Sequence, residues 1–104
     1  MTACFIVRAE LSDLSVKDEF DRWYEYEHFP DAKSAFGARR AWRGWSDEDP
    51  AVHYAVYEFA DVAAARAVPG SDALARLVAD FDRTWGDGIV RIREVLDITQ
   101  IIGD

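Results

Sequence analysis

Apolar and polar positions along the chain switch period several times, and each switch marks an element. Residues 2–10 carry Phe5, Ile6 and Val7 in a row among small and β-branched types, the pattern of a strand covered on both faces. Residues 11–14 form a polar connection, after which Ser15, with Asp18 three positions on, predicts a capped helix start. Phe20, Trp23, Tyr24 and Glu27 then recur at helical spacing, and Pro30 disfavours helical dihedrals at Phe29, so this first helix is predicted to end at about His28. Residues 30–37 offer room for one further turn before Gly37 stops it.

Large residues spaced as in a strand return over 38–45, a polar turn occupies 46–50, and residues 52–59 (Val-His-Tyr-Ala-Val-Tyr-Glu-Phe) have the densest β-branched and aromatic content of the chain. These two runs predict a hairpin. A short alanine-rich turn at 61–67 breaks at Pro69-Gly70, and Ser71 is placed to cap a second long helix. Leu74, Leu77, Val78, Phe81 and Trp85 make one apolar stripe along that helix, Arg76, Asp80 and Asp82 lie off it, and Gly86 ends it. Residues 89–102 alternate as a long last strand, with Val90, Ile92, Leu96, Ile98 and Ile102 on one parity and Arg91, Arg93, Asp97 and Thr99 on the other.

The order β-α-β-β-α-β predicts an α+β, ferredoxin-like domain: an antiparallel four-stranded sheet with both crossover helices on one face, spanning residues 1–104 as a single unit. Strands 2–10 and 52–59 carry bulky groups on both parities, whereas the helices cover one face only. The second face predicts a two-fold homodimer in which sheet packs on sheet.

Composition narrows the function classes. With 20 acidic against 12 basic residues and a formal charge of −8, the chain repels phosphate backbones and anionic lipid heads, which argues against nucleic-acid and membrane partners. The amino end lacks a basic flank and a long apolar region, and no apolar run reaches the roughly 20 residues of a membrane span; the reading is a cytoplasmic protein. The single cysteine, Cys4, has no partner for an internal disulfide and sits in a predicted strand as a small buried hydrophobe. With only His28 and His53, no cysteine pair and no carboxylate–histidine spacing of a metal site, neither a metal nor another cofactor is expected.

Chemistry-bearing groups concentrate in the first helix. An imidazole titrates near neutrality and a helix C-terminus favours its cation, which makes His28 the candidate acid/base, with Tyr24 four residues earlier on the same face. The alternative is that His28 caps the last carbonyls of the helix and fixes the entry to Pro30. His53 points either into a cavity or into the dimer core, depending on strand register. Trp23, Trp42, Tyr54 and Tyr57 suit either a hydrophobic core or the aromatic wall of a small-molecule pocket. Arg39, Arg40 and Arg43 form a basic cluster read as a solvated edge paired with carboxylates, and Glu25 and Glu27 are read as solvent-facing.

The run Trp23-Tyr24-x-x-Glu27-His28-x-Pro30, with Gly37, the 38–45 strand and Tyr54-Ala55-Val56-Tyr57-Glu58-Phe59, resembles the dimeric α+β barrel superfamily, nearest its EthD-like branch. The resemblance covers nearly the whole chain, and the His-x-Pro is its most specific part. It implies a homodimer with an aromatic-lined cavity between sheet and helices that holds a small organic ligand. Members include cofactor-independent monooxygenases, cyclases, isomerases and haem degraders, so the fold alone selects no reaction. The monooxygenase-type and haem-degrading members use a first-strand asparagine, and this chain contains none; the haem degraders also use a histidine on the second long helix, where none occurs. Two functions stand: an enzyme acting by acid/base chemistry on a small aromatic or polyketide-like compound with catalytic His28 and Tyr24 and substrate contacts from Trp23, Trp42, His53, Tyr54 and Tyr57, or a non-catalytic dimer that binds such a compound.

Overall fold

The computed structural model describes residues 1–103. Strand β1 (Ala3–Leu11) leads through a short 3-10 turn (Leu14–Val16) into helix α1 (Lys17–Trp23), a π-helical turn (Tyr24–His28) and helix α2 (Phe29–Phe36). Strands β2 (Arg40–Trp45) and β3 (Val52–Phe59), helices α3 (Val62–Arg66) and α4 (Asp72–Trp85) and strand β4 (Ile89–Asp97) follow. The four strands form one antiparallel sheet in the order β2-β3-β1-β4. This is the predicted ferredoxin-like arrangement, with each long helical segment crossing between strands that are consecutive in the chain but not adjacent in the sheet.

Beyond shifts of one or two residues at the ends of β1 and β2, three boundaries differ from the sequence reading. The first helix starts on a cap from Asp13, whose carboxylate accepts from the Ser15 amide at 2.9 Å, so Ser15 lies inside the turn instead of capping it. That helix does not end at His28. The chain stays helical to Phe36, where Gly37 terminates it in the left-handed region at φ 69° and donates to Ser34 O at 3.1 Å. Pro30 is accommodated because the preceding turn widens: the Phe29 amide donates to Tyr24 O, five residues back. Pro30 needs no acceptor, and the wider register relieves the clash between its ring and the carbonyl four residues earlier. The last strand stops at Asp97, not at 102, because its only partner runs out: Ala3 pairs with Asp97, and beyond it a single bond joins Ile98 N to Thr2 O at 3.3 Å.

Register decides which parity meets the helices. Phe5, Val7 and Ala9 of β1 stand opposite Tyr57, Ala55 and His53 of β3 and Val95, Arg93 and Arg91 of β4, and this is the face under α1, α2 and α4. Phe5, Phe20, Tyr24, Tyr57, Leu77 and His53 are the largest fully buried side chains, so the core is an aromatic layer between sheet and helices. The opposite face presents Ile6, Val56, Trp42, Tyr54, Val90, Ile92 and Leu96, of which Val90 is 61% and Ile92 54% exposed. Cys4 is buried, and burial followed by the neighbouring Glu58 charge raises its thiol pKa, so it is an unreactive packing group.

Candidate functional site

The π-helical turn sets the site. Its wider spacing places Tyr24 and His28 side by side, with ring centroids 4.9 Å apart, and both lean toward the sheet and α4. The His28 imidazole stacks on Trp23 at 4.6 Å with an interplanar angle of 19° and meets Phe81 of α4 edge-on at 5.7 Å. This geometry corrects the expectation of a cationic His28 at a helix end. Helix continues on both sides, leaving no exposed carbonyls there to cap, and burial pushes the His28 pKa down to about 4, with Arg91 adding to the effect against Asp31. At neutral pH the ring is uncharged and free to accept a proton.

His28 is a wall shared by two spaces. On its inner side lies a cavity of about 20 Å³, close to the volume of one water. Val7, Ala9, Leu77 and Val78 supply its apolar lining, Phe36 and Phe81 its rings, and Tyr24, His28, Tyr57, Arg91 and Arg93 its polar groups. Burial pushes the Tyr24 pKa up to about 12 and raises that of Tyr57 further from its usual value, with the two hydroxyls interacting, so both are neutral hydrogen-bond donors. On the outer side lies an open cleft of about 220 Å³ bounded by Trp23, Glu27, Asp31, Asp80, Arg83 and Thr84. A base, two neutral phenols and two guanidiniums thus border one largely apolar space, the composition of a small-molecule site.

The other predicted site residues divide by strand parity. Tyr57 lines the cavity and Trp23 backs His28. His53 is fully buried on the helix face, 4.5 Å from the Tyr24 ring, but behind the cavity wall instead of on its surface. Its Nε2 lies 3.1 Å from Arg43 Nη1; the guanidinium can only donate, so Nε2 accepts and the proton resides on Nδ1, which has no partner among the described residues. Burial, then the Arg43 charge, lowers the His53 pKa to about 4. Arg43 also donates to Asp21 Oδ1 at 2.8 Å, and the same oxygen accepts from Trp45 Nε1 at 2.8 Å. The basic cluster therefore splits: Arg39 and Arg40 pair with Glu58 as read, while Arg43 turns inward and ties β2 to α1. Trp42 and Tyr54, 43% and 40% exposed, lie on the other side of the sheet and do not reach the cavity, because even positions in β2 and β3 face away from the helices. Arg91 and Arg93 are the cavity groups that sequence reasoning missed. The alternation along β4 carried the signal, but only its pairing with β1 shows that the arginine parity is the inner one.

Among the described residues, no group of three or more histidine, cysteine, aspartate or glutamate side chains is arranged to hold a metal ion. No helix among them is long and apolar enough to cross a membrane.

No family model and no curated protein matches the chain. Solved structures do. A mutant of SnoaB, a cofactor-independent oxygenase from Streptomyces nogalater, superposes with a TM-score of 0.68 at 12% identity over 99% of this chain and 98% of its own. An ethyl tert-butyl ether degradation (EthD) family protein from Bacillus halodurans gives 0.66 at 16% identity over 90% of this chain and 97% of its own. HapK from Hahella chejuensis gives 0.66 at 20% identity over 98% and 95%. Identities this low speak for the backbone alone, and on that evidence the chain has the ferredoxin-like α+β fold that these proteins share.

Proposed function

We propose that the protein is a homodimer that binds a small aromatic or polyketide-like compound in the cavity between sheet and helices and performs cofactor-independent acid/base chemistry on it. The observation that carries this reading is a neutral imidazole, His28, bordering the same cavity as the neutral phenols Tyr24 and Tyr57. In such a site His28 accepts the proton from an acidic C–H or O–H of the compound, and the negative charge left on oxygen receives hydrogen bonds from the tyrosines. Returning the proton from His28 to another atom completes an isomerisation or cyclisation without an external co-reactant. An anion formed beside the ring raises the low imidazole pKa at that moment, which matches the base to its task. That a structurally similar protein, SnoaB, is a cofactor-independent oxygenase supports chemistry without a cofactor on this backbone.

Dimerisation completes the proposal. The uncovered sheet face presents Trp42, Tyr54, Val90, Ile92 and Leu96, an apolar surface of the kind monomers rarely leave in water. A second copy packed through the same face by a two-fold axis buries it and closes the α+β barrel.

A second reading, binding without turnover, is favoured by the small free volume of about 20 Å³, which requires side chains to move before a ring can enter. One pair of variants separates the two. Small aromatic compounds are screened by thermal shift and any hit is followed for turnover in wild type, His28→Asn and Tyr24→Phe. For an enzyme, His28→Asn abolishes turnover with binding retained, and Tyr24→Phe lowers it by about 10²-fold. Binding with no conversion in wild type leaves the binding-only reading, and turnover unchanged in both variants removes His28 and Tyr24 as the catalytic pair.

A further inference from the structure

Strand β4 is inverted relative to an ordinary amphipathic strand: Val90, Ile92 and Leu96 point away from the helices, while Arg91 and Arg93 point toward them. The two arginines are not equivalent. Arg91 is held by Asp82 of α4 and lies over the Phe81 ring at 4.1 Å. Arg93, half-buried on the same face two residues on, has neither an ion pair nor a hydrogen bond among the described residues. Arg22 and Arg66 also lack partners there, but both are exposed and hydrated. In a chain with 20 acidic against 12 basic residues acceptors are not scarce, yet among the described residues the carboxylate that acts on Arg93, Asp82, is ion-paired with Arg91 and makes no direct bond to Arg93. Burial, and then the Arg91 charge, destabilises its protonated form. A desolvated cation without a partner is costly, and such costs persist where a ligand supplies the missing charge.

We propose that Arg93, seconded by Arg91, is the carboxylate-binding end of the cavity, so that the compound bound there is an aromatic or conjugated carboxylic acid. This rests on the cavity being the binding site, as proposed above, and adds the charge of its occupant. The rings of Phe36, Phe81, Tyr24 and Tyr57 receive the planar part, and the planar guanidinium accommodates both carboxylate oxygens. With the carboxylate anchored on β4, the rest of the compound lies toward Tyr24 and His28 across the same cavity. The overall negative charge of the protein repels anions at long range, so selection for the acid comes from this local pair.

Benzoate and benzamide, which share a shape and differ in charge, test the assignment. Affinities are measured by calorimetry at pH 7 with the full-length wild type and Arg93→Gln. Wild type is expected to bind benzoate about tenfold or more tightly than benzamide, with the preference shrinking as salt rises. Arg93→Gln is expected to lose that preference, binding benzoate no more tightly than benzamide, and to melt no lower than wild type, because no protein partner is left stranded. Equal binding of the two probes by wild type, or a preference for benzoate that survives in Arg93→Gln, overturns the carboxylate assignment and leaves the cavity reading standing. No binding of either probe at millimolar concentration overturns both.

Discussion

At His28 and His53, burial outweighs every charge nearby, and both rings are held neutral with pKa values near 4. The sign of the consequence follows from linkage. Each imidazole has a higher pKa unfolded than folded, so as pH falls below about 6.5 the unfolded chain takes up protons first. The stability tied to these rings is fully present above that pH and is lost progressively toward pH 4. By pH 5 the loss is roughly 2 kcal/mol per ring, before the ion-paired carboxylates Asp21 and Asp31, whose pKa values are themselves depressed, begin to titrate. Urea unfolding at pH 7 and pH 5 is therefore expected to show a marked drop in midpoint for wild type and about half that drop for His28→Asn. An equal drop in both would mean that His28 titrates normally. His53 is the costlier ring, since its Nδ1–H is buried without an acceptor among the described residues, yet its Nε2 completes the Arg43–Asp21 network that fixes β2 to α1.

Among elements, the helical segment and β4 carry the site in different ways. The π-helical turn lets the chain pass Pro30 without stopping and, in the same step, sets the Tyr24 and His28 rings edge to face. Helix α4 closes the cavity from the other side with Leu77 and Phe81, and its start is defined by Ser71, whose hydroxyl accepts from the Leu74 amide at 3.1 Å and donates to Val68 O at 2.7 Å. Ser71→Ala removes both bonds at a half-buried helix end and is expected to cost about 1 kcal/mol in thermal or chemical unfolding, with no change in ligand affinity. A loss of ligand affinity in Ser71→Ala would mean that α4 is positioned by its cap and not by the packing of Leu77 and Phe81. The alternation along β4 is equally decisive, since it assigns arginines to the cavity and aliphatic residues to the outer face.

For the whole molecule, one sheet serves two surfaces. Its odd positions and the helices make the cavity; its even positions make the face proposed to pair with a second copy. Wild-type protein at micromolar concentration is expected to sediment at twice the 11.8 kDa chain mass. Ile92→Asp, which sets a charge into the β4 side of that face without touching the helix side, is expected to sediment as a folded monomer with unchanged far-ultraviolet circular dichroism. A wild type sedimenting at 11.8 kDa would remove the dimer and leave the exposed face to another partner.

The order of elements, the hairpin of β2 and β3, the Ser71 cap and the aromatic face of the first helix were all legible in the residues, because each depends on local periodicity, propensity or capping chemistry within a few positions. Val52–Phe59 was read to the residue for the same reason: its β-branched and aromatic content is bounded by turn signals on both sides. The site was only partly legible. His28, Tyr24 and Tyr57 stood out as chemistry-bearing side chains, but the charge of His28 depends on burial by α4 and the sheet, far away in sequence. Side-chain type says nothing of strand parity, so in the sequence Trp42 and Tyr54 resemble cavity groups, while Arg91 and Arg93 do not stand out, since an arginine alternating with aliphatic residues looks the same whichever face is inside. Two facts settle these points, the pairing of the strands from β2 through β3 and β1 to β4 and the packing of α4 and the sheet over His28. Both are long-range or cooperative, set by which surfaces pack together, and so only the tertiary structure decided them.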